Sequence, residues 1–262
     1  MILSGQTALV TGASSGLGAA FARALAERGA DLVLVARSQD VLHATADRLH
    51  SAYGVRVEVI AQDLAQAGAA ETVAARLAEL GVSVDVLINN AGFATQGPWE
   101  TIPAKRDHAQ VMLNVVAVVD LTHALVPRML ERRAGAVVNV ASLGGFQPAP
   151  RLAVYGASKA FVISLGQALS AELAGRGVAV LTVCPGPVDT PFFDVLGSRD
   201  AAIGQQLAPE QVVEHALRAL ERGRTLVVPG WRNALTAHAS RLLPRRLVLA
   251  LAERATRPLA TP

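Results

Sequence analysis

Short apolar runs rich in β-branched residues alternate along this chain with stretches whose apolar positions recur every three or four residues. The first pattern reads as strand and the second as amphipathic helix. Seven strands are predicted, at Thr7 to Val10, Leu32 to Ala36, Val55 to Ala61, Val84 to Ile88, Ala136 to Val140, Val178 to Cys184 and Leu226 to Val228. Between them stand helix candidates at Leu17 to Arg28, Gln39 to Tyr53, Ala69 to Leu80, His108 to Arg133, Tyr155 to Ala174 and Pro209 to Arg222. Runs such as LVLVA and VAVLTV are almost continuously apolar, as strands covered by helices on both faces must be. Such alternation builds βαβ units. The prediction is therefore an α/β fold of three layers, doubly wound on a seven-stranded, mostly parallel sheet. No Pro/Gly/Ser-rich linker or repeat interrupts the rhythm, so residues 1–230 read as a single domain and residues 231–262 as its helical C-terminal extension.

With 52% hydrophobic and 17% charged residues, the chain is too apolar for disorder and can fill a large core. The lone Cys184 excludes an internal disulfide and a cysteine-based zinc cluster, and none of the six histidines stands in an H-E-x-x-H spacing. No metal is expected. The N-terminal MILSGQTALV lacks a basic region followed by a cleavage-type segment, and no run of about 18 uncharged apolar residues occurs, so a cytoplasmic protein is expected. Charge is unevenly spread: residues 222–262 hold eight arginines and one glutamate, whereas the remainder carries −4 of the total +3. Within 231–262, Pro244 divides a leucine- and arginine-rich stretch into two short helices. A basic amphipathic pair can lie on an anionic membrane or meet acidic carrier groups; it can equally be a packing or subunit-contact element with a solvated basic face. No nucleic-acid partner is expected.

The first strand runs into Thr11-Gly12-Ala13-Ser14-Ser15-Gly16-Leu17-Gly18 and then directly into a helix. Glycines at a strand-to-helix turn let the backbone approach a pyrophosphate, which the helix N-terminus attracts. A plain structural turn is the bland alternative. Gly12 to Gly16 also fits the G-x-S-x-G elbow of serine hydrolases, with Ser14 as nucleophile, yet no later Asp and His stand out as partners. At the end of the second strand an NAD binder is expected to place Asp or Glu; here Ala36 and Arg37 follow, and an arginine suits a 2′-phosphate. A solvated strand-end arginine is the other reading.

Tyr155-Gly156-Ala157-Ser158-Lys159 opens a helical stretch and puts Tyr155 and Lys159 on one face. A nearby ammonium favours the phenolate form of a tyrosine whose pKa is ordinarily about 10. Alone the spacing is weak, since exposed pairs of this kind are common. Asn89-Asn90-Ala91-Gly92 follows the fourth strand, Ser142 the fifth and Pro185-Gly186 the sixth. In this order, from residue 5 to about 230, the chain resembles the short-chain dehydrogenase/reductase family. That resemblance implies a Rossmann fold, a homodimer or homotetramer, and hydride transfer between a nicotinamide and a carbonyl or alcohol.

It further implies that Tyr155 exchanges the proton, Lys159 lowers the tyrosine's pKa and holds the nicotinamide ribose, and Ser142 hydrogen-bonds the substrate oxygen. Asn114 matches a position that holds a relay water, its alternative being a polar residue that satisfies a helix kink. Gly12, Ser14, Ser15, Gly16, Leu17 and Gly18 match the pyrophosphate turn. Asp63 and Leu64 match an adenine contact, although Asp63 could instead cap a helix. Asn90, Ala91 and Gly92 lie along the cofactor, Gly186, Val188 and Thr190 reach the carboxamide, and Pro185 belongs to the same cofactor-binding set. Arg37 without a preceding acid matches the branches preferring NADP(H), with NAD(H) possible. After Thr190, a lid carrying Phe192, Phe193, Leu196 and Ile203 suits an apolar small-molecule substrate, as it also suits a loop packed on its own core. A non-catalytic NADP(H) sensor is the alternative to an enzyme.

Overall fold

The computed structural model describes residues 3–192, 196 and 204–256. Strands β1 (Thr7–Thr11), β2 (Asp31–Ala36), β3 (Val57–Ala61), β4 (Val86–Asn89), β5 (Gly135–Val140), β6 (Val178–Val183) and β7 (Leu226–Val227) form one sheet. Its order is β3-β2-β1-β4-β5-β6-β7, and every neighbouring pair is parallel. The helices are α1 (Gly16–Glu27), α2 (Gln39–Tyr53), α3 (Ala69–Glu79), α4 (Ala104–Val111), α5 (Ala117–Arg132), α6 (Ala153–Glu172), α7 (Pro209–Glu221), α8 (Trp231–Leu242) and α9 (Arg245–Thr256).

Side-chain alternation sorts each strand between two cores. On β2, Leu32 and Leu34 join Phe21 and Leu25 of α1, Leu42 of α2 and Leu217 of α7, whereas Val33 and Val35 join Val73 of α3 and Leu121 and Met129 of α5. This is the three-layer, doubly wound arrangement that the continuous apolar runs predict. Several boundaries differ. The helix expected from His108 begins at Ala104, after Pro103, because the polar Ala-Lys-Arg-Asp turn carries no apolar periodicity while a proline suits a helix start. It is also interrupted by a π-helical turn, Met112–Val116. The continuous helical stretch Ala104–Arg132 spans 29 residues and is apolar and long enough to cross a membrane; here Leu121, Leu125 and Met129 pack into the core. Helix α6 starts two residues before Tyr155. Pro244 separates α8 from α9, as expected.

Candidate active site

The chain winds outward from β1 to β2 and β3, then returns to lay β4 on the other side of β1. That reversal opens a crevice at the carboxyl ends of β1 and β4, where ligands of open α/β sheets bind. Thr11 ties the two strand ends together: its hydroxyl donates to the Ile88 carbonyl (3.1 Å) and accepts from the N–H groups of Asn90 (2.9 Å) and Ala91 (3.0 Å). The Asn90 amide donates to the carbonyls of Thr11 (2.9 Å) and Gly12 (3.5 Å), so this side chain braces the glycine turn from behind. Gly18 presses against the same turn, where a Cβ would lie 2.1 Å from the Gly12 carbonyl oxygen. Ser15, at the N-cap of α1, makes no side-chain cap, and the first turn holds no acid. The positive end of α1 is thus left for a ligand anion.

The other end of the crevice is built by β5, β6 and α6. After β5 the chain makes a short 3₁₀ turn, Leu143–Gly145, whose N-cap is Ser142. The Gly144 N–H donates to the Ser142 hydroxyl (3.1 Å), leaving that hydroxyl's own proton to be donated elsewhere. Leu143 N–H donates to the Pro185 carbonyl (2.8 Å), which locks this turn to the loop after β6. Gly145 lies flat on α6: a Cβ there would stand 2.7 Å from the Lys159 carbonyl carbon and 2.9 Å from the Ala160 nitrogen. That approach brings Ser142, Tyr155 and Lys159 to one wall.

Lys159 is buried, and its ammonium donates to the Val140 carbonyl (2.8 Å), 5.9 Å from the centre of the Tyr155 ring. Burial pulls its pKa down to about 8, with Cys184 nearby acting weakly the other way. The Tyr155 hydroxyl stands above its ordinary value of 10.0 because burial disfavours the phenolate, and the neighbouring Ser142 hydroxyl opposes this. In the protein alone, therefore, desolvation outweighs the depression of Tyr155 by Lys159 that the helical spacing suggests. The Lys159 ammonium, hydrogen-bonded to the Val140 carbonyl and 5.9 Å from the ring centre, does not offset that burial.

Of the other anticipated residues, Gly12, Ser14, Ser15, Gly16, Leu17, Arg37, Asp63, Leu64, Asn90 to Gly92, Pro185, Gly186, Val188 and Thr190 all line one cleft of about 770 Å³, together with Ser142, Tyr155 and Lys159. Gly18 and Asn114 do not line it. Asn114 is buried in the π-helical turn, where its amide donates to the Phe93 carbonyl (3.0 Å) and the Ser158 hydroxyl (3.1 Å), and its oxygen accepts from Phe93 N–H (3.2 Å). It clamps the loop after β4 to α6, so the helix irregularity and the polar residue belong together. Asp63 does not cap α3, whose N-cap is Gly68; its carboxylate accepts from Ala65 N–H (3.0 Å) and the Gln66 amide (3.4 Å), closing a local turn. Arg37 is exposed at the rim and forms no ion pair among the described residues. Ser14 forms no hydrogen bond to a histidine among the described residues, although His108 lines the same cleft, so the pairing that a hydrolase needs is not made.

The wall beyond Tyr155 is apolar, with Leu143, Pro148, Leu152, Phe192 and Leu196. The Phe192 ring sits 5.8 Å from that of Tyr155. Phe193 and Ile203 of the expected lid lie outside the described residues. Both ends of that segment are anchored: Val188 and Leu207 form a parallel bridge, and buried Asn233 of α8 accepts from Gln205 N–H (2.8 Å) and donates to the carbonyls of Gln205 and Pro229 (both 3.0 Å). Thr236 and Ala252, from α8 and α9, also reach the cleft. These contributions are invisible in the sequence, where a single asparagine in WRNALTAHAS looks like any polar helix residue.

The sequence profile of the short chain dehydrogenases matches residues 6–201. A ketoacyl reductase of Nostoc sp. is 34% identical over 92% of this chain and 84% of that relative. Among solved structures, a short-chain dehydrogenase from Sphingobium yanoikuyae in complex with NADPH shares 34% identity over 98% of each chain, with a TM-score of 0.81. A bulky-bulky ketone specific alcohol dehydrogenase from Comamonas testosteroni shares 32% identity over 98% of this chain and 97% of its own, with a TM-score of 0.78. With the switch-point crevice, the glycine turn and the Ser142, Tyr155 and Lys159 wall all in place, the chain belongs to the short-chain dehydrogenase/reductase family.

Proposed function

We propose that this chain is an NADP(H)-dependent oxidoreductase interconverting an apolar carbonyl compound and its alcohol, with Tyr155 as the acid/base. The observation that carries this reading is the convergence of the Ser142 hydroxyl, the Tyr155 phenol and the Lys159 ammonium on one wall of a cleft whose far end is a glycine turn at an uncapped helix N-terminus. The residues fit the cofactor: the turn suits a pyrophosphate, Arg37 has its guanidinium available for a 2′-phosphate, and Lys159 keeps two donors for ribose hydroxyls. Bound there, the nicotinamide supplies or accepts the hydride. The NADPH held by the Sphingobium relative supports the same choice.

In the reductive direction Tyr155 gives its proton to the carbonyl oxygen as negative charge builds on it, and Ser142 hydrogen-bonds that oxygen. Oxidation returns the proton to Tyr155. Burial keeps the phenol protonated at neutral pH, the form that reduction requires. Lys159 orients the ribose and lends positive charge to the phenolate that forms after transfer. Asn114 holds Phe93 and α6 in register behind this group. The apolar wall around Phe192 and Leu152, and the ketoacyl and bulky-ketone chemistry named for two relatives, support an apolar substrate.

Tyr155→Phe tests the assignment. It is expected to lower turnover by about 10²-fold or more while NADPH binding, followed by nucleotide fluorescence, stays within a factor of two or so of wild type. Near-normal turnover in the variant sinks the role of Tyr155.

A further inference from the structure

Helices α8 and α9 each bury one face and leave another bare. Asn233 and Ala237 of α8, and Val248 and Ala252 of α9, point into the protein. On the opposite side of α8, Trp231 and Leu235 stand one turn apart and are 70% and 63% exposed. Leu243, between the helices, and Leu247 and Leu251, one turn apart on α9, are exposed as well. Large apolar side chains this open, gathered on two adjoining helices, mark an interaction surface rather than scattered exposure.

Charge identifies the partner. Residues 231–256 contain five arginines and one glutamate, whereas the chain before residue 222 is net acidic. Arg232, Arg245, Arg246 and Arg254 form no ion pair among the described residues, and the Arg232 guanidinium lies 5.2 Å from the Trp231 ring centre. A twofold contact with a second copy would set this basic face against itself. An anionic bilayer surface instead takes the leucines and tryptophan into its headgroup boundary while the arginines meet lipid phosphates. The chain before residue 222, being net acidic, offers such a surface no comparable attraction.

We infer that α8 and α9 form a docking surface for anionic lipid membranes. Because Thr236 and Ala252 of the same helices line the cleft, docking brings its rim to the bilayer, where apolar compounds are dissolved. The inference concerns binding and does not depend on the reaction catalysed.

Co-sedimentation with large vesicles tests it, using phosphatidylcholine alone and phosphatidylcholine with about 30 mol% phosphatidylglycerol. The full-length protein is expected to sediment with the anionic vesicles, to stay in the supernatant with the neutral ones, and to be released by added salt. Leu235→Glu/Leu247→Glu and Arg245→Gln/Arg246→Gln should each weaken partitioning by about tenfold or more, with far-ultraviolet circular dichroism unchanged. Absence of vesicle binding, or equal binding by wild type and both variants, overturns the proposal. So does a shift of the leucine variant from oligomer to monomer in light scattering without any vesicle binding, which assigns the face to a second copy.

Discussion

Lys159 is an ammonium held away from water, with the Val140 carbonyl as its hydrogen-bond partner among the described residues. Its pKa falls from 10.5 to about 8, which means the folded state binds this proton far less tightly than the unfolded chain does. At about 1.4 kcal/mol per tenfold change in proton affinity, the charged form destabilises the fold by about 3 kcal/mol. That penalty is complete below about pH 8 and fades as the pH rises toward 10.5, because the folded lysine becomes neutral first. Lys159→Met keeps the length of the side chain and deletes the charge. It forgoes the bond to the Val140 carbonyl, worth about 1 kcal/mol. The variant without nucleotide should therefore be about 2 kcal/mol more stable than wild type at pH 7, raising the melting temperature by roughly 4–8 °C. Between pH 7 and 9.5 this advantage should shrink by about 2 kcal/mol. Tyr155 does not confuse the window, since its raised pKa removes stability only above about pH 10. Urea titrations at pH 7, 8.5 and 9.5 measure the difference, and carbonyl reduction should be lost throughout. A variant less stable than wild type at pH 7, or an advantage independent of pH, refutes the reasoning.

Two further substitutions examine the other end of the cleft. Gly18→Ala would place a Cβ 2.1 Å from the backbone oxygen of Gly12, which cannot rotate away; α1 must shift from the turn, with an expected stability loss of about 1–3 kcal/mol and NADPH affinity lowered at least tenfold. Unchanged thermal melting and nucleotide titration would show that the turn yields freely. Arg37→Asp should weaken NADPH binding by about 10–100-fold, the value of a charge-assisted contact, and leave NADH equal or better; parallel titrations that retain the wild-type preference disprove a 2′-phosphate role.

Strand and helix order was legible because parallel strands buried on both faces must be apolar throughout, and the glycine turn was legible because only glycine permits backbone contact as close as that of Gly18 with Gly12. The 3.6-residue period likewise put Tyr155 and Lys159 on one face of α6. What no local pattern could reveal was the balance of fields across elements: burial raises Tyr155, and the Val140 carbonyl accepts a hydrogen bond from the Lys159 ammonium. The π-helical turn that buries Asn114, the Gly145 contact that seats Ser142 against α6, and the reach of Asn233 to the segment before Leu207 are of the same kind. Each depends on groups far apart in the chain meeting in space. The sequence by itself determined the layered fold and the residue types at the cleft, through periodicity and steric need; only the tertiary structure decided their protonation, their partners and which face of α8 and α9 stays bare, because desolvation and packing are properties of the assembled surroundings.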